Sequence, residues 1–303
     1  MILVALAVVV STGLGRLCQQ RFAWAPATAR AGLNAMLYGL LPFVAFVNIA
    51  HLHVTTGVGT GLGLAYLELG LVGVLAYVLG TRVLRLGRPA VGALVCVVML
   101  ANTGYLGLPM VIALLGASGL AAGVAFDQLV SGPVLLTAGF GVGATFGTVS
   151  GNGGRERLRA FLVRNPPLLA VLAGLLAPPT LAPSVLVSLS HVVVIALLPL
   201  GFFALGVNLA TESPAGGSPL PPLDRGVLTA VALRMLCAPL LLAGLSALVV
   251  AMPRAYLLQA AMPSGINALV VGHAYGLDLR LTSAAIGWCT AAALMAGLII
   301  SVA

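Results

Sequence analysis

The sequence predicts an all-α integral membrane protein with ten transmembrane helices. Hydrophobic residues make up 61% of the 303 residues, and charged residues only 7%. Soluble domains carry about a quarter charged residues, so this chain could not cover a water-facing surface. At roughly 20 residues per span, its length accommodates about ten helices with short connections.

Ten apolar runs separated by short polar loops are the expected spans. The first run precedes its nearest basic residues, whereas a secretory signal has them in front, so we interpret it as a transmembrane helix. The spans cover residues 1–17, 32–50, 60–80, 90–115, 121–147, 163–178, 184–210, 226–250, 255–275 and 281–302.

Arginines occupy alternate loops and predict the orientation in the membrane. Positive loops stay cytoplasmic, so both termini should be extracytoplasmic in the inner (cytoplasmic) membrane. The net charge of +8 is then a topology signal beside anionic lipid and does not indicate nucleic acid. These arginines are Arg16, Arg21 and Arg30, then Arg82, Arg85 and Arg88, then Arg155, Arg157, Arg159 and Arg164.

Five spans in each half, residues 1–150 and 151–303, require that any structural repeat be inverted in the membrane. Two proline matches support such a repeat. Pro42 recurs as Pro199 and Pro109 as Pro263, at similar offsets of 157 and 154 residues. We therefore expect two inverted five-helix repeats whose transport and scaffold parts are interleaved.

Spans four and nine are interrupted by polar residues, glycines and prolines. At the depth of the hydrocarbon, broken backbone survives only where it lines a cavity or is buried in protein. Paired broken helices are typical of secondary transporters with a midplane site. The predicted substrate-binding residues are Asn102, Thr103, Gly104, Tyr105, Gly107, Pro109, Pro263, Ser264, Gly265, Ile266 and Asn267.

The interrupted helices could hold an anion without a fixed cation. The free N–H groups of a half-helix form a positive end of about half an elementary charge. Asn102 and Asn267 add amides, and Thr103 and Ser264 add hydroxyls. The alternative is a pair of kinked helices whose glycines and prolines serve close packing only.

Ionisable residues inside spans are functional candidates. Glu68 lies mid-span, with a proton-coupling role and a structural role both open. Asp127 and Gln128 lie early in span five near the outer interface, where Asp127 could couple ions or simply be solvated. Arg234 lies about 12 Å into span eight. It could pair with an acid or extend to the cytoplasmic face.

The interrupted spans resemble the motifs of the auxin efflux carrier family. The matching residues are Asn102-Thr103, Gly107-Leu108-Pro109 and Gly116 in span four, and residues 260–266 with Tyr275 in span nine, along with Arg164-Asn165-Pro166, Arg234 and Pro239. The resemblance implies a bile-acid-symporter-like fold in which helices four and nine cross. It also implies an elevator-type carrier, often dimeric, in which Asn102 contacts the substrate carboxylate and Pro109 and Pro263 mark the crossover. Ser264 stands where relatives commonly have Gln, and Asn267 where many have an apolar residue.

We therefore expect a carrier or uniporter for a small organic anion, auxin-like or a dicarboxylate, acting in export. Proton- or sodium-coupled symport and a non-transporting membrane ligand sensor are the alternatives. The sequence shows no clustered catalytic residues, so we do not expect an enzyme. The four cysteines lack metal spacing, and beyond H⁺ or Na⁺ no cofactor is expected. The expected partners are the substrate, membrane lipid and a second copy of the chain.

Overall fold

The computed structural model describes residues 2–52, 55–148, 166–212 and 222–302, and its regular elements there are all helices. Within these described ranges, six helical stretches are long and apolar enough to cross a membrane, which confirms the prediction of a helical protein with several membrane-spanning helices. They are Ile2–Arg21, Thr56–Val83, Ala117–Phe146, Ser184–Thr211, Arg225–Leu248 and Leu279–Ile300. The ten-span count and the inverted repeats stay predictions. The arginines at 155, 157, 159 and 164, Asn165 and the start of the sixth predicted span lie outside the described residues.

The α-helices follow the predicted spans, with two interruptions. In the first half they are Ile2–Arg21, Ala25–Ala35, Leu41–Ile49, Thr56–Val78, Arg88–Met99, Leu108–Leu115, Leu120–Phe126, Gly132–Val134 and Phe140–Phe146. In the second half they are Pro166–Leu176, Ser184–Glu212, Arg225–Ala232, Ala238–Leu248, Arg254–Ala260, Asn267–Tyr275 and Leu279–Val302. Residues 100–102, the first break, and residues 261–266, the second break, interrupt predicted spans four and nine.

Wide π-helical turns connect several of these helices. Four of the six in the described residues end two positions before a proline, at Pro42, Pro109, Pro133 and Pro239. Proline has no N–H, and its ring crowds the carbonyl four residues earlier. A local π turn re-satisfies the freed backbone groups, which water cannot do inside a bilayer. The turns are Met36–Leu40, Leu79–Val83, Thr103–Gly107, Asp127–Ser131, Leu135–Gly139 and Leu233–Cys237.

Helices from residues 2–49 and 166–212 pack together, and we call them the scaffold set. Ile2–Arg21 runs along Ser184–Glu212. Gly15 and Gly206 permit this approach, since a Cβ on either would collide with the opposite backbone. The Asn48 amide also donates to Ser190 Oγ at 3.0 Å. The set therefore draws helices from both halves of the chain.

Helices from residues 56–148 and 222–302 form the second group, the crossover set, around a large apolar core. It meets the scaffold set through apolar side chains. Val8, Leu198 and Phe202 of the scaffold set cluster with Leu106 and Ile266 of the crossover set. This interface places the two interrupted helices against the scaffold.

The two breaks pair with each other as a short antiparallel bridge between Ala101 and Ser264. The Asn102 N–H donates to the Pro263 carbonyl, and the Gly265 N–H donates to the Leu100 carbonyl, both at 2.7 Å. These bonds satisfy backbone groups that hydrocarbon would leave unpaired. Predicted spans four and nine therefore cross at their breaks.

Gly265 sets how closely the breaks approach, because an added Cβ would lie 2.8 Å from the Ala101 carbonyl oxygen. We expect Gly265→Ala to lower the free energy of unfolding by about 1–3 kcal/mol, as overpacking does. The measurement is thermal unfolding of the purified protein in detergent.

Gly244→Ala is the matched control, since nothing lies within 4 Å of its added Cβ in an exposed helical position. It should leave the unfolding temperature unchanged or raise it slightly. Equal unfolding temperatures for the two variants would contradict the close backbone crossing.

Candidate functional site

A cavity of about 220 Å³ lies beside the crossing of the two breaks. Both interrupted helices and the π turn Asp127–Ser131 contribute to its wall. Nine of the predicted site residues line it: Asn102, Thr103, Gly104, Tyr105, Asp127, Gln128, Gly265, Ile266 and Asn267. Its lining also includes Leu41, Leu100, Ala101, Ser131, Gly132 and Leu135, which were not predicted.

Asn102 begins the half-helix that follows the first break. Its side-chain oxygen accepts the Leu106 N–H at 3.2 Å, and its carbonyl accepts the Gly107 N–H at 2.9 Å. The amide nitrogen Nδ2 has no hydrogen-bond partner, although Asn102 is only 3% exposed. A buried unpaired donor is costly and therefore indicates a missing acceptor.

Asp127 lines the same cavity and contacts the first turn of this half-helix at Thr103. The Thr103 hydroxyl donates to one carboxylate oxygen, and the Gln128 amide donates to the other at 2.6 Å. Asp127 is only 9% exposed, so of the two alternatives the solvated carboxylate is wrong. The structure therefore brings a buried acid into the cavity.

The half-helix Asn267–Tyr275 contributes the second positive helix end. No side chain caps its first turn, and the half-buried Asn267 lines the cavity. The N-terminal ends of both half-helices thus face one space, each with a fractional positive charge.

Gln259 ties the interrupted helices to the neighbouring helix Leu120–Phe126. Its amide nitrogen donates to the Thr103 carbonyl at 3.2 Å and to the Gly123 carbonyl at 3.1 Å. Gly107 leaves the space that the Gln259 side chain occupies. This residue was not predicted from the sequence, although a glutamine inside an apolar run is a recognisable signal.

Ser264, Pro263, Gly107 and Pro109 do not line the cavity. Ser264 is fully buried, and its hydroxyl donates to the Val97 carbonyl at 2.7 Å. It therefore contacts the helix Arg88–Met99, which precedes the first break. Pro263 lies in the second break itself, whereas Pro109 lies inside the helix Leu108–Leu115. The two prolines therefore occupy different settings, and only Pro263 lies at the crossing.

Arg234 binds the C-terminal ends of both helices that precede the breaks. Its guanidinium donates to the carbonyls of Val98 at 2.9 Å, Met262 at 3.0 Å and Ala260. It is fully buried, so an extension to the cytoplasmic face is wrong. The crossover therefore does contain a fixed cation, placed on the negative helix ends.

Glu68 is a second buried ionisable residue of the crossover set. It is fully buried, and neither carboxylate oxygen has a hydrogen-bond partner. Each group lies within electrostatic range of the other. Glu68 does not line the cavity, so it is separate from Asp127 in position.

Chemically, the site is a small cavity beside two helix N-termini, lined by one carboxylate and by Asn102, whose buried amide nitrogen has no hydrogen-bond partner. The negative helix ends are neutralised away from the cavity by Arg234. Such a cavity can bind and release a small polar solute.

Two comparisons show which known proteins this chain is similar to. Residues 158–301 match a family model described as a membrane transport protein. The chain is also 27% identical over 272 residues to an uncharacterised transporter of Methanocaldococcus jannaschii, covering 84% of this chain and 82% of that protein.

The helical fold, the crossing of the two interrupted helices and these two matches together define the class of this protein. It is a multi-span membrane protein similar to membrane transport proteins. Within that class these observations confirm the resemblance to the auxin efflux carrier family.

The Arg234 clamp predicts a large stability effect. Arg234→Met would leave three buried carbonyls without their donor and Glu68 without its counter-charge. We expect a loss of about 3 kcal/mol or more in the free energy of unfolding, measured in detergent.

Arg254→Met, at an exposed arginine, is the control and should change stability by less than about 0.5 kcal/mol. Adding Glu68→Gln to Arg234→Met should recover part of the loss, because the isolated buried carboxylate is then removed. A strictly additive double variant would contradict the electrostatic pairing.

Proposed function

We propose that the chain is a secondary transporter that moves a small organic anion, a carboxylate, across the cytoplasmic membrane. The unpartnered Asn102 amide in the cavity carries this proposal. A carboxylate there would accept from Nδ2 and lie at two positive helix ends. Auxin-like acids and dicarboxylates are the substrates to test first.

The transport cycle we propose is of the elevator kind, within a homodimer. The interrupted helices are tied to their own set by polar bonds, through Arg234 and Gln259. Against the scaffold set they present apolar side chains such as Leu106 and Ile266. Apolar surfaces can slide without breaking directed bonds, so the crossover set would carry the cavity past the scaffold.

The direction we propose is export. An interior-negative potential drives an anion outward by about 2.3 kcal/mol per charge per 100 mV, so uniport suffices. Proton-coupled symport is the second candidate, because Glu68 is a buried acid with no hydrogen-bond partner. Sodium coupling and a sensor that binds without transport are further outcomes that binding and flux measurements distinguish.

Asn102→Ser tests the carboxylate site. Serine keeps a capping oxygen for the helix but removes the amide donor. We expect binding of mono- and dicarboxylates to weaken about 10- to 100-fold, the equivalent of one charge-assisted hydrogen bond. Binding is measured by thermal shift against each variant's own unliganded protein, and transport by flux in proteoliposomes.

Asn48→Ser is the matched control, since this buried amide bonds Val44 and Ser190 inside the scaffold set. It should cost some stability but leave binding intact. Equal binding by wild type and Asn102→Ser would refute the site. Saturable binding with no flux in liposomes would favour the sensor.

Coupling is tested by flux under a pH gradient with the voltage clamped at zero. If Glu68 carries the coupled proton, the gradient stimulates wild-type flux, and Glu68→Gln abolishes that stimulation while voltage-driven flux remains. If the pH gradient still stimulates flux in Glu68→Gln, a residue other than Glu68 binds the coupled proton. If wild-type flux does not change with the pH gradient, the result supports uniport.

A further inference from the structure

We propose that the transported carboxylate also carries a protonated amine, which Asp127 binds. The inference rests on the proposed carboxylate site at Asn102 and extends it to Asp127, which lines the same cavity beside Thr103. The substrate class is then amino-carboxylates, such as amino acids, with the acid group at the helix ends and the ammonium group at Asp127.

The hydrogen bonds of Asp127 fit an ionised carboxylate. Each oxygen accepts from a neutral donor, the Thr103 hydroxyl and the Gln128 amide. An ionised carboxylate is acceptor-only and uses both oxygens in this way, whereas a protonated one has a donor of its own to place. The cavity therefore offers a negative charge that is held in position.

The carboxylate belongs to a residue of the cavity lining, and Gly104 packs against it. A Cβ built on Gly104 would lie in van der Waals contact with the two Asp127 oxygens, at 3.4 and 3.5 Å. Two oxygens have about four acceptor sites, of which the donors named above use two. The remaining sites suit the several N–H groups of an ammonium.

A plain carboxylate would meet repulsion in this cavity. Among the described lining residues there is no Lys, Arg or His to offset Asp127, and the other titratable group is Tyr105. A second carboxylate in the same small cavity would be repelled by Asp127, because water screens charges less in such an enclosed space. An amine on the substrate converts this repulsion into attraction, and an amino dicarboxylate still keeps a net negative charge for export.

Calorimetric binding with matched acids tests the proposal on the full chain in detergent at neutral pH. The pairs are glutamate with glutarate and alanine with propionate, which differ only in the amine. Wild type should bind at least one amine-bearing acid about 10- to 100-fold more tightly than its partner. Equal or tighter binding of the acids without the amine overturns the inference.

Two variants test whether the preference for amine-bearing acids depends on Asp127. Asp127→Asn is nearly isosteric and should remove the amine preference. Gly104→Ala should do the same by placing a methyl group over the Asp127 carboxylate, with the acid itself unchanged. Persistence of the preference in both variants overturns the assignment to Asp127.

Two further binding measurements, with methyl esters and at lower pH, distinguish ammonium binding at Asp127 from failure of the Asn102 site and from proton binding at Asp127. If the amine preference holds but methyl esters of the acids bind equally well, the carboxylate site at Asn102 fails while Asp127 stands. If amine-free acids bind more tightly as pH falls, and Asp127→Asn removes that pH dependence, Asp127 binds a proton and the inference is overturned.

Discussion

The antiparallel pairing of the two breaks is the constraint on which the rest of the structure depends. Each break leaves backbone groups that water cannot reach at that depth. Asn102 and Gly265 donate across to carbonyls of the opposite break, so each interruption satisfies the other. This exchange allows two helices to end and restart inside a membrane protein, and it brings their restarting ends to one cavity.

Arg234 binds only one side of this crossing, the carbonyl ends of the helices before the breaks. An interrupted helix has a negative end before the break and a positive end after it. By binding Val98, Ala260 and Met262, the guanidinium compensates the negative ends. The positive ends are left facing the cavity, where Asn102 keeps an unused amide donor. A buried cation therefore lies at the crossing without lining the cavity, and Glu68 lies within electrostatic range of it.

The breaks and most of the cavity lining could be predicted from the sequence, because glycine, proline and polar residues rarely cluster in an apolar run unless the helix is interrupted there. Which polar residues face the cavity could not be predicted. Ser264 and Asn267 lie in one short segment, yet one braces a helix and the other lines the cavity. The burial of Asp127 could not be predicted, because Thr103, which donates to it, lies in another span. Arg234 was ambiguous for a similar reason, since its carbonyl partners come from residues far away in the chain.

Asp127 and Asn102 together make the cavity bipolar, and this follows from the π turns as much as from the residue types. Asp127 opens the turn Asp127–Ser131, and Thr103 opens the turn Thr103–Gly107, and each turn ends two positions before a proline. A π turn widens the helix locally and shifts the side chains that follow it, a distortion that recurs at functional sites. Here two such turns face each other, and the Thr103 hydroxyl joins them by donating to Asp127. Pro109 and Pro133 follow the wide turns that carry Thr103 and Asp127, whereas Pro199 lies inside a continuous α-helix without such a turn.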